Sequence, residues 1–305
     1  MKKIIIAGLI ITMFLFTGCP QPTDSGVENP FIGGTTGILI SFAEDSPPPE
    51  VYAGGDYPFD AVVKLKNDGE YRVAKEDVTV TLSGINAQEF GKTEAELSKN
   101  PEDDLEPRRK EDGDIIDSNP VFTEFYDLNR VEDFSGRTYT IRADVCYKYG
   151  TNTISDICIK TNNLDDKEGV CTINEVKKVY SSSAPVQIVD FKETTRAKDK
   201  VAFTFTVAHK GNGQIFQPGS DCGKENRRAN EDRVQIEVST GLDGLDCSGI
   251  REGGLIALYG GDSQITCTQT VSTSSDYEKP VEINLIYEYK DNAETQVTVK
   301  TSGEI

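Results

Sequence analysis

The chain has no tryptophan and a single histidine, His209. A Ser-His-Asp or Cys-His device would have to be built on that one residue. His209 stands near the end of an alternating segment, beside Lys210 and a glycine-containing turn, and reads as a solvated strand end. There is no Cys-x-x-Cys pair, so zinc spacing is absent. No glycine-rich phosphate loop precedes a helix, and no Asp-x-Asp-x-Asp-Gly calcium loop is present. Long segments of 3.6-residue periodicity are missing after the N-terminal apolar run, which excludes an α/β enzyme fold. Basic residues are in deficit, 32 against 51 acidic, for a net charge of −19. Such a surface repels nucleic acid and anionic lipid head groups. These absences describe a chain that is not an enzyme and carries no cofactor, metal site or nucleic-acid partner. Asp103-Asp104, Asp112/Asp114, Asp165-Asp166 and Asp243/Asp246 could supply calcium or a carboxylate pair, but on so acidic a chain they read as solvated loops.

The N-terminus shows what is present. Lys2 and Lys3 precede an apolar run from Ile4 to Phe16, too short to span a bilayer comfortably but suited to a signal-peptide core. Phe16-Thr17-Gly18-Cys19 resembles a lipobox, with Phe16 where leucine is usual. In secreted lipoproteins that motif implies cleavage after residue 18 and a diacylglyceryl group on Cys19, so membrane lipid is one expected partner. Two acyl chains anchor stably where one is marginal. Residues 1–18 are then the signal peptide, and 19–36, rich in Pro, Gly, Thr and Ser, a flexible tether. Cleavage leaves 30 basic and 51 acidic residues, a net charge of about −21. Both methionines, Met1 and Met13, go with the signal, which suits an oxidising exterior.

Six cysteines remain: Cys146, Cys158, Cys171, Cys222, Cys247 and Cys267. An even number in an exported chain reads as three disulfides. One pairing follows from a repeat. Residues 139–161 and 279–301 match without a gap at an offset of 140, with Tyr147, Tyr149, Asn152, Lys160 and Thr161 recurring as Tyr287, Tyr289, Asn292, Lys300 and Thr301. Each copy alternates apolar and polar residues and is read as a hairpin turning at Asn152 or Asn292. In that register Cys146 faces Cys158, flanked by Lys148–Asp156 and Asp144–Lys160. The other four cysteines permit three pairings, of which Cys171–Cys222 with Cys247–Cys267 is favoured. The tyrosines fall on the apolar face, with hydroxyls expected at the rim of the fold.

The rest of the chain alternates in short segments. Ile38 to Phe42, Phe59 to Leu65, Val78 to Leu82 and Val121 to Tyr126 predict strands, with a long exposed excursion at 92–114. Val186 to Val189, Val201 to Val207, Val234 to Val238, Leu255 to Leu258 and Ile265 to Val271 predict a second set. Val51 to Val73, with its Tyr-Ala-Gly start and Lys-Asn-Asp-Gly turn, resembles the opening of CARDB-type domains. That resemblance implies an immunoglobulin-like sandwich of the kind found in adhesion-associated prokaryotic surface proteins. Tyr139 resembles a tyrosine corner. The expected architecture is all-β: immunoglobulin-like β-sandwiches at 37–161 and 185–305, joined by a linker at 162–184. The expected work is adhesion or envelope scaffolding, through an unidentified protein or glycan partner at the cell surface. The alternative is a lipoprotein that captures a ligand or ion for a transporter, for which a deep apolar pocket between the domains is the signature.

Overall fold

A computed structural model of the chain describes residues 29–131, 136–165 and 169–301. The signal segment, Cys19 and the tether up to residue 28 lie outside the described residues. Strands dominate, with one four-residue helix at Arg227–Asn230 among the described residues. In chain order the strands are β1 (Ile38–Phe42), β2 (Glu50–Tyr52), β3 (Phe59–Asn67), β4 (Val78–Ser83), β5 (Ser98–Lys99), β6 (Arg109–Glu111), β7 (Asp114–Ile116), β8 (Val121–Leu128) and β9 (Arg137–Ile159). The second half gives β10 (Tyr180–Ser181), β11 (Val186–Ala197), β12 (Lys200–His209), β13 (Gln214–Phe216), β14 (Arg233–Ser239), β15 (Leu245–Ser248), β16 (Leu255–Ala257), β17 (Asp262–Thr270) and β18 (Tyr277–Lys300).

The repeated segments are not hairpins. Each is one continuous strand, β9 of 23 residues and β18 of 24, and the two pair antiparallel from Tyr277↔Ile159 to Val299↔Arg137. Asn152 faces Asn284 at the point where a turn was expected, and Asn292 faces Asp144. Tyr147 lies opposite Tyr289, Tyr149 opposite Tyr287, and Lys148 opposite Glu288. Lys148 thus faces its own counterpart in the repeat, so a pseudo-twofold axis passes between these two residues.

Odd-numbered residues of β9 from Ile141 to Ile159 are buried along the whole strand. A period-2 strand can do this only if one face is covered throughout. Two smaller sheets supply the cover, β1-β3-β8 at one end and β11-β12-β17-β15 at the other. The central sheet, ordered β16-β14-β18-β9-β4-β5, runs through both lobes. Equivalent strands keep equivalent registers. Val80 pairs with Val145 and Ile236 with Leu285; Ala61 pairs with Phe125 and Phe203 with Cys267. The alternation read in β3, β4, β12 and β14 therefore gave the core-facing sets, with Val238 only partly buried at the end of β14.

Other expectations change. The 92–114 excursion is pinned by buried Leu97 and Leu105 and includes the β6–β7 hairpin. The 162–184 segment contributes β10, which pairs with β9, and buries Cys171 and Ile173. Tyr139 does not form a tyrosine corner: its hydroxyl reaches the Glu89 carboxylate at 3.4 Å, and its ring meets Phe90 edge-on at 5.2 Å.

Candidate binding surface at the pseudo-dyad

On the buried side of the dyad lie four tyrosines. Tyr147, Tyr149, Tyr287 and Tyr289 are all at most 2 % exposed, with neighbouring ring centroids 5.7 to 6.4 Å apart. Their hydroxyls end inside the molecule rather than at its rim. Tyr149 donates to Asn67 Oδ1 at 2.9 Å, while the Tyr289 hydroxyl lies 3.0 Å from His209 Nε2 and accepts from the Gly213 amide at 2.7 Å. Asn67 and His209 each end the second long strand of their lobe, so the two bonds are symmetry mates. His209 is accordingly a half-buried partner of a core phenol, not a solvated strand end. Burial lowers its pKa. Burial likewise pushes the phenols up, that of Tyr289 to about 12. Gly69 and Gly211 sit against the same two hydroxyls, where a Cβ would overlap the Tyr149 and Tyr289 oxygens. This close approach explains glycine at both turns.

On the opposite face, even-numbered side chains of β9 and β18 form a polar floor. A groove of about 380 Å³ runs there, lined by Thr79, Thr81, Ser98, Asp144, Cys146 and Lys290 and overhung by the Asp221–Lys224 loop. Two further depressions, of about 260 and 280 Å³, continue it. One carries Glu76, Asp77, Asp221 and Glu288 around Lys148; the other gathers Arg142, Arg227 and Lys290 beside Asp144 and Asp291. The trough is therefore acidic at one end and more basic at the other.

The overhanging loop is fastened twice. Cys222 is bonded to Cys146, and Glu288 accepts hydrogen bonds from the Gly219, Ser220 and Cys222 amides and the Ser220 hydroxyl at 2.7 to 3.1 Å. Four donors on one carboxylate hold the loop although Asp221 and Cys222 adopt positive φ. Cys146, Cys222 and Glu288 cluster as metal ligands would. Because the sulfurs are bonded to each other, neither offers a thiolate, and the carboxylate is already engaged.

All six cysteines are in disulfides, which fits an extracytoplasmic location. The Cys247–Cys267 pairing is as expected. The other two are not: Cys146 bonds Cys222, and Cys158 bonds Cys171. With no hairpin, Cys146 and Cys158 stand twelve residues apart on a straight strand, roughly 40 Å, far beyond disulfide reach.

A second polar cluster sits beside Cys158. Glu193, fully buried, accepts the Cys158 amide with both oxygens at 2.9 and 3.0 Å and lies 3.5 Å from Lys177 Nζ. Burial raises Glu193 to about 8. Burial opposes the charge on Lys177, but the Glu175 hydrogen bond and the Glu193 and Asp156 carboxylates outweigh it and the pKa is raised. Of the acidic pairs, Asp104 is taken up by Arg72 and the backbone amide of Lys75.

Among the described residues no helix is long and apolar enough to cross a membrane. Compared with known proteins, the chain matches no protein-family model and no curated protein.

Proposed function

We propose that this is a non-catalytic, lipid-anchored surface protein that works by adhesion or envelope scaffolding, held to the membrane through Cys19. The observation that carries the reading is the construction at the dyad. Two lobes share both long strands, so the groove on the outer face spans them with a rigid floor. A preorganised polar surface of this kind favours recognition of an extended, charged partner without a conformational step. The resemblance of Val51 to Val73 to CARDB-type domains supports reading the all-β lobes as adhesion-type sandwiches.

The ligand-capturing alternative needs a deep apolar pocket between the lobes. That space is filled by the four tyrosine rings, which favours a surface-binding role. The test is a photo-crosslinking side chain at Thr81 or Lys290 on intact cells. A discrete adduct with a surface protein or glycan is expected, lost when the same label is placed on exposed Tyr259. Labelling of a transporter, or no adduct, overturns the reading. Cys19→Ala should release the protein from membranes or leave the precursor uncleaved.

A further inference from the structure

The two lobes are not equally finished. In the second, the small sheet has four strands, with β15 laid on the outer edge of β17 and stapled there by Cys247–Cys267. In the first, the sheet ends at β8 among the described residues. Register makes β8 the counterpart of β17, since Ala61↔Phe125 matches Phe203↔Cys267. Glu124 and Tyr126 then correspond to Thr266 and Thr268, which pair with Ser248 and Asp246 of β15.

The backbone groups of that edge can be assigned. The Ala43 amide donates to Val62 O, so Val62 turns its polar groups toward β1. Its neighbours Ala61 and Val63 therefore turn theirs toward β8. On β8 itself Thr123 and Phe125 face β3, while Phe122, Glu124 and Tyr126 face away. Lys99 Nζ occupies one outward acceptor, donating to Glu124 O at 2.9 Å, with its ammonium over the Phe125 and Tyr126 rings at 5.4 and 5.7 Å. Beside the edge lies a slot of about 130 Å³ lined by Lys92, Leu97, Lys99, Phe125 and Leu128. Phe122 and Tyr126, 43 % and 51 % exposed, flank it on the outer face. A flexible lysine is a common guard of an unpaired edge. Unlike a proline or a bulge, it can be moved.

We propose that the free edge of β8 is a strand-docking site that accepts an extended segment of a partner protein as the missing fourth strand of the first lobe. The internal copy specifies the chemistry. The segment runs antiparallel to β8, as β15 runs to β17, and donates to Glu124 O in place of Lys99. Its residue opposite Phe125 points inward, as Cys247 does opposite Cys267, and in the slot that residue is a small aliphatic. Its residue opposite Tyr126 points outward; a carboxylate there, as in Asp246, retains the displaced Lys99 ammonium. Main-chain pairing supplies affinity and the slot supplies selectivity. This surface is distinct from the groove and stands whether or not the groove binds.

The probe is a fluorescein-labelled peptide copying residues 243–250 with Cys247→Val, titrated into the folded protein. We expect saturable binding and at least tenfold slower hydrogen exchange at the Phe122, Glu124 and Tyr126 amides. Glu124→Pro removes an outward donor without touching the β3 ladder and should weaken binding at least tenfold. Lys99→Glu should weaken it about fivefold, and a peptide with lysine in place of Asp246 should restore it on that variant. Unchanged exchange at these three amides of the wild-type chain, with peptide up to millimolar, overturns the proposal whether or not the proline variant folds. So does equal binding by a folded Glu124→Pro variant. A peptide-free dimer with those amides already protected makes a second copy the occupant, and also overturns it.

Discussion

Phe203→Ala, a substitution in the second lobe, should be felt in the first. Phe191, Phe203 and Phe205 are fully buried, with ring centroids 5.3 to 6.4 Å apart in near-parallel stacks. Truncating such a ring removes transfer energy and leaves a cavity, together about 3–5 kcal/mol. In a chain of independent domains the loss would stay local. Here β9 leaves the first lobe to become the floor of the second, and β18 does the reverse. Neither lobe can open fully without giving up part of the other's sheet. The expected result is one cooperative transition, with core amides of both lobes accelerated together. At about 1.4 kcal/mol per decade, exchange at the Val80 and Val145 amides should rise roughly a hundred- to a few-thousand-fold. Native-state hydrogen exchange by NMR measures this directly. If those amides keep their wild-type rates while those of β12 and β17 accelerate, the lobes are independent and the shared-strand argument fails.

Peptide mapping of the oxidised protein should recover Cys146–Cys222, Cys158–Cys171 and Cys247–Cys267. Cys222→Ser with Cys146→Ser should lower stability by about 2–4 kcal/mol and free the Asp221–Lys224 loop to exchange. Glu193 titrates in the ordinary carboxylate range, about 4.3, when unfolded, and burial pushes it up to about 8 when folded. Between those values the folded state keeps a proton that the unfolded chain has lost, so stability should fall as pH rises from 5 to 8. The drop should be on the order of a few kcal/mol, measured by urea unfolding, and Glu193→Gln should flatten it. His209→Asn copies the Asn67 arrangement of the other lobe and should be nearly neutral. His209→Ala deprives the Tyr289 hydroxyl of a partner and should cost about 1 kcal/mol, read as a lowered Tm. Residues 29–165 and 169–301 expressed separately should each lack sharp near-UV signals, and regain them on mixing.

Much of the sheet was legible because a half-buried strand prints its burial every second residue. Val78, Val80 and Leu82, and their counterparts Val234, Ile236 and Val238, needed only that rule. The long strands defeated it because alternation cannot distinguish a hairpin from one strand of twice the length. Gly150-Thr151-Asn152 looked like a turn, yet Gly150 sits in mid-strand with Tyr71 packed where a side chain would project. The gap-free match through the supposed turn was the available signal, since hairpin loops tolerate change and paired backbone does not. The Cys146–Cys158 expectation rested on the false turn, and pairing those two with each other hid their true partners, Cys222 and Cys171. The groove was illegible, because its walls come from β4, β9, β18 and a loop that only the dyad brings together. His209 gave no hint of its role, since its counterpart is an asparagine.

The facing of Lys148 and Glu288 means that a two-subunit contact has been written into one polypeptide. In an isologous dimer each surface meets its own copy, and the pair holds together only while subunit concentration exceeds the dissociation constant. Here the two copies are joined through the 162–184 segment, and their encounter is intramolecular. At any dilution such a pair does not come apart, and its folding stability is independent of how many neighbours it has.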